Sequence, residues 1–439
     1  MSIGHNLSRT PWQPCAATGW QQVQVKRSFA ITLGKMLQNV PASASDEEVP
    51  YLKAQHVQWN EVRLDDLPTM WAAPGEVNAL RVRRGDLLVC EGGEVGRACV
   101  VDKDAPAQTI IQNALHLVRG KSGQDTRYLA YLLRHAATNE WFDVLCNRST
   151  IAHFTVEKFG DLWAWMPPAV PQQRAIADYL DRETARVDAL IAAKERVLGL
   201  LAHKRRALIT RAVTRGLDPR APLRDSGIPW LGEIPAHWTT PPVYARFEVQ
   251  LGKMLDEKKI KATHLAPYLR NADVQWGAIN TADLPEMDFD DEDRRRYSLR
   301  EGDVLVCEGG EVGRSAIWDG SRPECYYQKA LHRLRPVTKN DEPKFLVHVM
   351  YALVESGQFA LQASAATIQH LPAEKLRVVR YPAPPREEQQ AIVASIEEGT
   401  KELNAVSAAT ERTIALLKER RSALIAAAVT GQIDVGGAA

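Results

Sequence analysis

The second half of this chain replays the first at an offset of 216–218 residues, and that duplication limits the possible folds more than any other feature. Leu33-Gly34-Lys35-Met36-Leu37 returns as Leu251-Gly252-Lys253-Met254-Leu255, and Tyr51–Trp59 returns with substitutions as Tyr268–Trp276. Gly85–Arg97 returns as Gly302–Arg314, differing only where Leu87 becomes Val304. Ala114-Leu115-His116 matches Ala330-Leu331-His332, and Thr150–His153 matches Thr367–His370. Ordered matches at nearly one offset do not arise by chance, and a period this long marks a duplicated domain pair rather than a solenoid.

Each half has two parts. The first is about 145 residues of mixed pattern. Its short apolar runs, Asp86–Cys90 and Asp303–Cys307, follow Gly-Asp turns and precede Gly-Gly loops, which predicts buried strands. The second part predicts a helix, Gln172–Thr214 in one half and Arg386–Thr430 in the other. Prolines precede each helix and Gly216 and Gly431 lie just past the ends, the expected asymmetry. In the first helix Leu180, Val187, Leu201 and Leu208 fall seven or fourteen residues apart, with Lys194 in the missing step. In the second, Ile396, Leu403, Leu417 and Leu424 repeat that ladder, with Thr410 in the missing step. A sustained seven-residue repeat implies supercoiling against another helix. Helices of ~43 residues, ~65 Å at 1.5 Å per residue, outrun domains of this size, so they pair with each other. Arg215–Thr240, rich in Gly, Pro and charge, reads as the linker between halves.

Composition narrows the function. The 439 residues are 45% apolar and 25% charged, ordinary for a soluble globular protein. Lys+Arg (55) and Asp+Glu (54) nearly cancel, so bulk charge gives no sign of nucleic acid and any DNA contact rests on local patches or partners. The longest purely apolar run, Ala423–Val429, is far short of the ~20 residues needed to span a bilayer. Six cysteines lack a CxxC pair, which predicts a reduced cytosolic protein with buried thiols. No phosphate-binding loop, dinucleotide-binding glycine motif, HExxH, GxSxG or cysteine zinc spacing is present. The Asn/Asp-Pro-Pro-aromatic motif of amino-methyltransferases is also absent, so catalysis by this chain alone is not expected.

Other features carry paired readings. In the doubled Glu-Gly-Gly-Glu-Val-Gly-Arg loop, Arg97 and Arg314 either meet a phosphate bidentately or pair with a glutamate of their own turn. His116 and His332 sit in apolar surroundings and read as satisfied, partly buried histidines rather than ligands. Trp59 and Trp276 fit core positions better than base-stacking platforms. The runs Arg81–Arg84, Arg294–Arg296 and Lys258–Lys261 can follow a DNA backbone, although Arg294–Arg296 follows the acidic run Asp288–Asp293 and reads as locally neutralised. Lys204–Arg206 and Arg420-Arg421, placed near helix C-termini, suit the helix dipole without a ligand.

The chain resembles the specificity subunit of type I restriction-modification systems from about Trp20 to Asp434. Four pieces carry the resemblance. They are the Pro-rich helix starts with Pro171-Gln172-Gln173 and Glu388-Gln389-Gln390, the helix ends Ala207-Leu208-Ile209 and Ala423-Leu424-Ile425, the segment Asp225–Trp238, and the doubled Gly-Asp-strand-Gly-Gly module. Pro171 stands where the second half has Glu387. The implied fold is α+β: two duplicated mixed α/β target-recognition domains separated by two long antiparallel coiled-coil helices, with pseudo-twofold symmetry. On that plan residues 1–170 form the first recognition domain, 171–215 the first spacer helix and 216–240 a linker. Residues 241–383 form the second domain and 384–431 the second helix.

The resemblance further implies a DNA sequence-specificity subunit reading a bipartite target, one half-site per domain. Its partners would be double-stranded DNA, two methyltransferase subunits docked on its helices and two restriction/translocase subunits. S-adenosylmethionine for adenine-N6 methylation, ATP and Mg2+ would sit on those partners, with no cofactor, metal or catalytic residue in this chain. The setting would be cytoplasmic, without a membrane. Domains reading different half-sites should share phosphate contacts and differ in base contacts. Lys35, Arg97, Lys253 and Arg314, matched between halves, are therefore candidates for the DNA backbone. Gln38, Asn39, Arg63, Asn147, Arg148, Lys258, Lys259 and Gln362, in windows where the halves diverge, have base-edge chemistry. A methylation-only adaptor and a non-DNA two-domain scaffold are the alternative readings.

Overall fold

A computed structural model describes residues 10, 12–13, 17–146, 153–255, 262–361, 370–433 and 435. The chain divides into two compact units, residues 1–195 with 412–439, and residues 196–411. Both long helices, Val170–Arg215 and Arg386–Val429, are divided between the units, so each unit holds one mixed domain and part of each helix.

The first unit is built on a four-stranded antiparallel sheet in the order Phe29–Leu33, Leu115–Gly120, Leu87–Cys90, Ala98–Val100. A three-stranded sheet, Thr69–Ala72, Glu47–Leu52 and Ile110–Ile111, has one antiparallel and one parallel pairing. The run Leu87–Cys90 is apolar throughout because both faces of its sheet are covered. Leu87 and Val89 face the helix Thr126–Thr138, whereas Leu88 and Cys90 face the core of Val49, Leu52, Met70 and Ile110. That helix starts at Asp125, whose carboxylate accepts from the N–H groups of Arg127 and Tyr128. It buries Tyr128, Leu129, Leu132, Leu133 and Ala136 at helical spacing, each large apolar side chain contributing ~1.5–3 kcal/mol.

The second unit repeats this frame. Its sheets are Phe247–Leu251, Leu331–Pro336, Val304–Cys307, Ser315–Ile317 and Glu286–Asp288, Leu265–Leu269, Tyr326–Tyr327. The register is kept, with Leu33 opposite His116 in one unit and Leu251 opposite His332 in the other. Gly34 and Gly252 are required by a close approach. A Cβ there would lie 2.2 Å from the Gln112 carbonyl oxygen and 2.3 Å from that of Gln328.

Within each unit the parts of the two long helices run antiparallel. Asp188 pairs with Arg421 in the first unit, where Ile176 and Leu180 share a core with Ile425, Ala428 and Val429. In the second, Arg205 donates to Asn404 at 3.0 Å and Leu208 covers Gly399. Leu180, Val187, Ile396, Leu403 and the polar Thr410 are buried, while Leu201, Leu208, Leu417, Leu424 and Lys194 are half-buried. A glutamine anchors each helix start to its domain. Gln173 accepts from Asp125 N and donates to Gln124 Oε1 and Pro167 O; Gln389 accepts from Glu342 N and donates to Asn340 O and Pro384 O.

Candidate nucleic-acid interface

The residues that the two halves share turn out to be tied into their own domains. Lys35 Nζ lies 2.8 and 2.7 Å from the two carboxylate oxygens of Glu76, third residue of the helix Pro74–Leu80. Glu76 also accepts from Ala73 N at 3.0 Å, and these bonds, Lys35 first, hold its carboxyl below the usual range. Lys253 serves the helix Asp291–Tyr297 in the same way, reaching Asp288 O at 2.6 Å and the carboxylate of Asp293, again the third residue.

Arg97 pairs with Glu94 at 2.8 Å and donates to Ala54 O at 3.0 Å. Arg314 pairs with Glu311 at 3.2 Å and donates to Asn271 O at 3.0 Å. Of the two readings of this loop, the structure shows the arginine on its own glutamate. The side chains keep only 15% and 13% exposure, so a phosphate would have to displace an existing carboxylate. The same glutamates accept from the indole N–H groups of Trp59 and Trp276 at 2.6 Å. Both tryptophans are half-buried at the core's edge, Trp59 packed against the first unit's core and Trp276 edge-on to Tyr351, with the loop glutamate holding the polar edge at the surface.

His116 and His332 are fully buried rather than partly buried, and only one ring nitrogen of each is hydrogen-bonded. Each donates from Nε2 at 2.7 Å, to Phe154 O and to Leu371 O, and burial pushes each pKa down, keeping the ring neutral. Burial likewise raises the thiol pKa of Cys90 and Cys307, and that of Cys99 and Cys325 to about 12, which leaves these sulfurs unreactive. Among the described residues, no group of three His, Cys, Asp or Glu side chains is placed to hold a metal, and no helix is long and apolar enough to cross a membrane.

Exposed positive charge lies elsewhere. Arg81, Arg83 and Arg84 are exposed around the buried Val82, on the segment leading into the strand Leu87–Cys90. The matching segment of the second unit carries Ser298, Arg300 and Glu301 around buried Leu299. Arg294 pairs with Glu324, outside the acidic run Asp288–Asp293 expected to neutralise it, and its Nε donates to Phe289 O at 2.9 Å, while Arg295 and Arg296 are exposed. The dipole reading of Lys204–Arg206 and Arg420-Arg421 is corrected. They stand more than two turns before the helix ends Arg215 and Val429, beyond the last turn where the dipole acts. Arg205, Arg206 and Arg421 instead bond Asn404, Glu355 and Asp188.

Of the base-reading candidates, Gln38 spends its amide N–H groups on Val40 O and Asp46, both at 3.0 Å. Asn39 is exposed, and Arg63 is exposed beside Glu61 at 2.7 Å. Asn147, Arg148, Lys258, Lys259 and Gln362 lie outside the described residues. Sequence reasoning missed the ion pairs that fix each domain to its long helix, Arg127 to Asp178 and Asp181, and Lys344 to Glu397. Their signal was present as opposite charges kept at matched positions, 127/344 and 181/397.

The family model described as the type I restriction modification DNA specificity domain matches the chain twice, over residues 18–198 and 247–412. A chain from a structure of a type I restriction-modification system, solved for its complex assembly and conformational transition, superposes with a TM-score of 0.72 at 17% identity, covering 95% of this chain and 99% of its own. The HsdS subunit from Thermoanaerobacter tengcongensis superposes with a TM-score of 0.53 at 17% identity, covering 95% of this chain and 98% of its own. Among curated proteins none matches. With both domain matches falling on the duplicated frame, the chain belongs to the type I restriction-modification DNA specificity family.

Proposed function

We propose that each mixed domain reads one half of a split DNA target and that the two long helices set the distance between the halves. One observation carries this reading. Residues shared between the halves hold the frame together (Lys35/Lys253, Arg97/Arg314, Gln173/Gln389), whereas the largely exposed segment 60–65 differs at every position from its counterpart 277–282. A frame kept constant under variable loops suits two readers of different sequences. The 46-residue first helix, roughly 70 Å long, exceeds one DNA turn of ~34–36 Å. In this reading Arg81, Arg83 and Arg84 contact phosphates in the first half-site, and Arg63 and Asn39 face bases.

The helices also suit docking. Leu190 and Leu416 of the first unit are 48% and 63% exposed, and Leu200 and Val406 of the second are 68% and 48% exposed. Leu190 matches Val406 and Leu200 matches Leu416 at one offset, as expected if the same partner binds twice. Those partners would be two methyltransferase subunits carrying S-adenosylmethionine, joined by ATP- and Mg2+-dependent restriction subunits, in the cytoplasm. This chain supplies the address. Exchanging residues 60–67 for 277–284 should change the first half of the methylated motif and leave the second intact. Change in both halves, or in neither, would contradict the assignment.

A further inference from the structure

A cleft of about 580 Å3 opens in the first unit, within the range of roughly 300–1,000 Å3 that holds small ligands. Its floor is Ala98–Val100, the outer strand of the four-stranded sheet. One wall is the helix Thr126–Thr138, and the other is the face of the first long helix that carries Asp181, Thr184 and Asp188. Trp59 and Asn60 stand at the Ala98 end, where Glu94 holds the indole. Arg84 stands at the other end, where Gly85 N donates to Val101 O at 2.8 Å. Three strand steps of ~3.3 Å put the two ends ~10 Å apart.

Most charges around the cleft are already paired, Arg127 with Asp125, Asp178 and Asp181, and Asp188 with Arg421. Among the described residues, Arg84 and Arg134 have no carboxylate at ion-pair distance, and the exposed Asp102 is the one lining acid left to oppose them. Arg134 is the costlier of the two. It is half-buried, and burial, then the charge of Arg421, push its pKa down against the pull of Asp188. Its Nη1 donates to Asn60 Oδ1 at 2.8 Å, and its guanidinium carbon lies 6.0 Å from the centre of the Trp59 ring. The frame does not need these residues. The second unit has Tyr351, Gly277 and Glu301 in place of Arg134, Asn60 and Arg84, and its indole-to-glutamate bond forms all the same. A desolvated cation without a counter-charge is unfavourable, so one that folding does not require points to a ligand.

An aromatic platform beside a guanidinium fork suits a stacked base with two adjacent acceptors, the O6 and N7 edge of guanine. A second arginine ~10 Å along the strand stands where the phosphate of such a nucleotide falls. We propose that this cleft, in the first unit alone, binds a guanine nucleotide, with its base on Trp59 and Arg134 and its phosphate on Arg84. In the DNA-bound complex the backbone claims Arg84, so the test is run without DNA. The full chain, purified with the methyltransferase subunit encoded beside it, is titrated calorimetrically with guanosine monophosphate, adenosine monophosphate and inorganic phosphate. Wild type should bind one guanosine monophosphate per chain, and the adenine analogue at least about tenfold more weakly, because its amino group meets the arginine donors. Arg134→Lys should weaken binding about tenfold, keeping the charge and losing the fork. Asn60→Gly plus Arg134→Tyr, the second unit's residues, should weaken it at least about a hundredfold and leave the ligand-free thermal midpoint unchanged. Absence of binding by wild type, equal affinity for the two nucleotides, or wild-type affinity in both variants would overturn the proposal. Inorganic phosphate binding as tightly as the nucleotide would also overturn it, leaving a bare anion site.

Discussion

Where the first recognition domain meets the long helices, Arg127 reaches Asp178 and Asp181, Tyr131 donates to Asp181, and Arg134 lies over Trp59. At the matching places in the second unit, Lys344 reaches Glu397, His348 replaces Tyr131, and Tyr351 stands edge-on to Trp276. A guanidinium shared among three carboxylates and a phenol have been exchanged for an ammonium and an imidazole, yet the glutamine anchor beside them is unchanged. The difference separates two kinds of position. Backbone-to-side-chain ties admit one residue type because their partner is fixed main chain, whereas side-chain pairs admit substitutes when both ends move together.

The comparison breaks most sharply at the shared glycines. Gly34→Ala and Gly252→Ala each drive a Cβ into a backbone carbonyl that cannot rotate away, and each should destabilise its own unit by about 3 kcal/mol. Chemical denaturation with hydrogen exchange, resolved by unit, checks this; near-neutral effects would mean the sheet corner is not rigid.

Next is a difference in acid sensitivity. Burial, reinforced by Arg205 and Lys344 and opposed by Glu397, pushes the His348 pKa down to about 4. An unfolded histidine titrates near 6.5, so the folded unit binds fewer protons than the unfolded one between those values. The contribution is full above pH 6.5 and lost as pH falls toward 4, about 2 kcal/mol by pH 5. Tyr131, at the matching place, stays neutral over this range because burial raises its pKa, and burial also lowers the pKa of His56, His116 and His135 in the first unit and of His332 in the second, so substitution at His348 itself isolates its effect. His348→Tyr should therefore reduce the second unit's loss of stability between pH 6.5 and pH 5, and an acid sensitivity that the substitution leaves unchanged would count against it.

The smallest effect separates a tie from a DNA contact. Arg97→Ala and Arg314→Ala should each cost about 1 kcal/mol of stability and leave the salt dependence of DNA binding by the complex unchanged. A slope lower by about one would mean that the arginine leaves its glutamate for a phosphate.

Much of the frame was legible in the sequence. The duplication, the strands at Leu87–Cys90 and Val304–Cys307, and the two long helices follow from repetition and periodicity, which are properties of the chain itself. The helix starts were harder: the first begins at Val170, two residues before the expected Gln172, because a proline at Pro171 is accepted in a first turn. The site was less legible, because a matched charged residue signals constancy without saying what it touches. Lys35 and Arg97 invited a phosphate reading, and only their distances to Glu76 and Glu94 show internal partners. The bond from Trp59 to Glu94 was hidden for the same reason, since the two stand 35 residues apart in sequence.

The central claim is that two domains read two separated blocks of DNA. The chain should be expressed with its methyltransferase partner in a host lacking other adenine methylation, and modified adenines mapped across the genome. Two short defined blocks separated by unspecified bases are the predicted result, and a single continuous motif would contradict it.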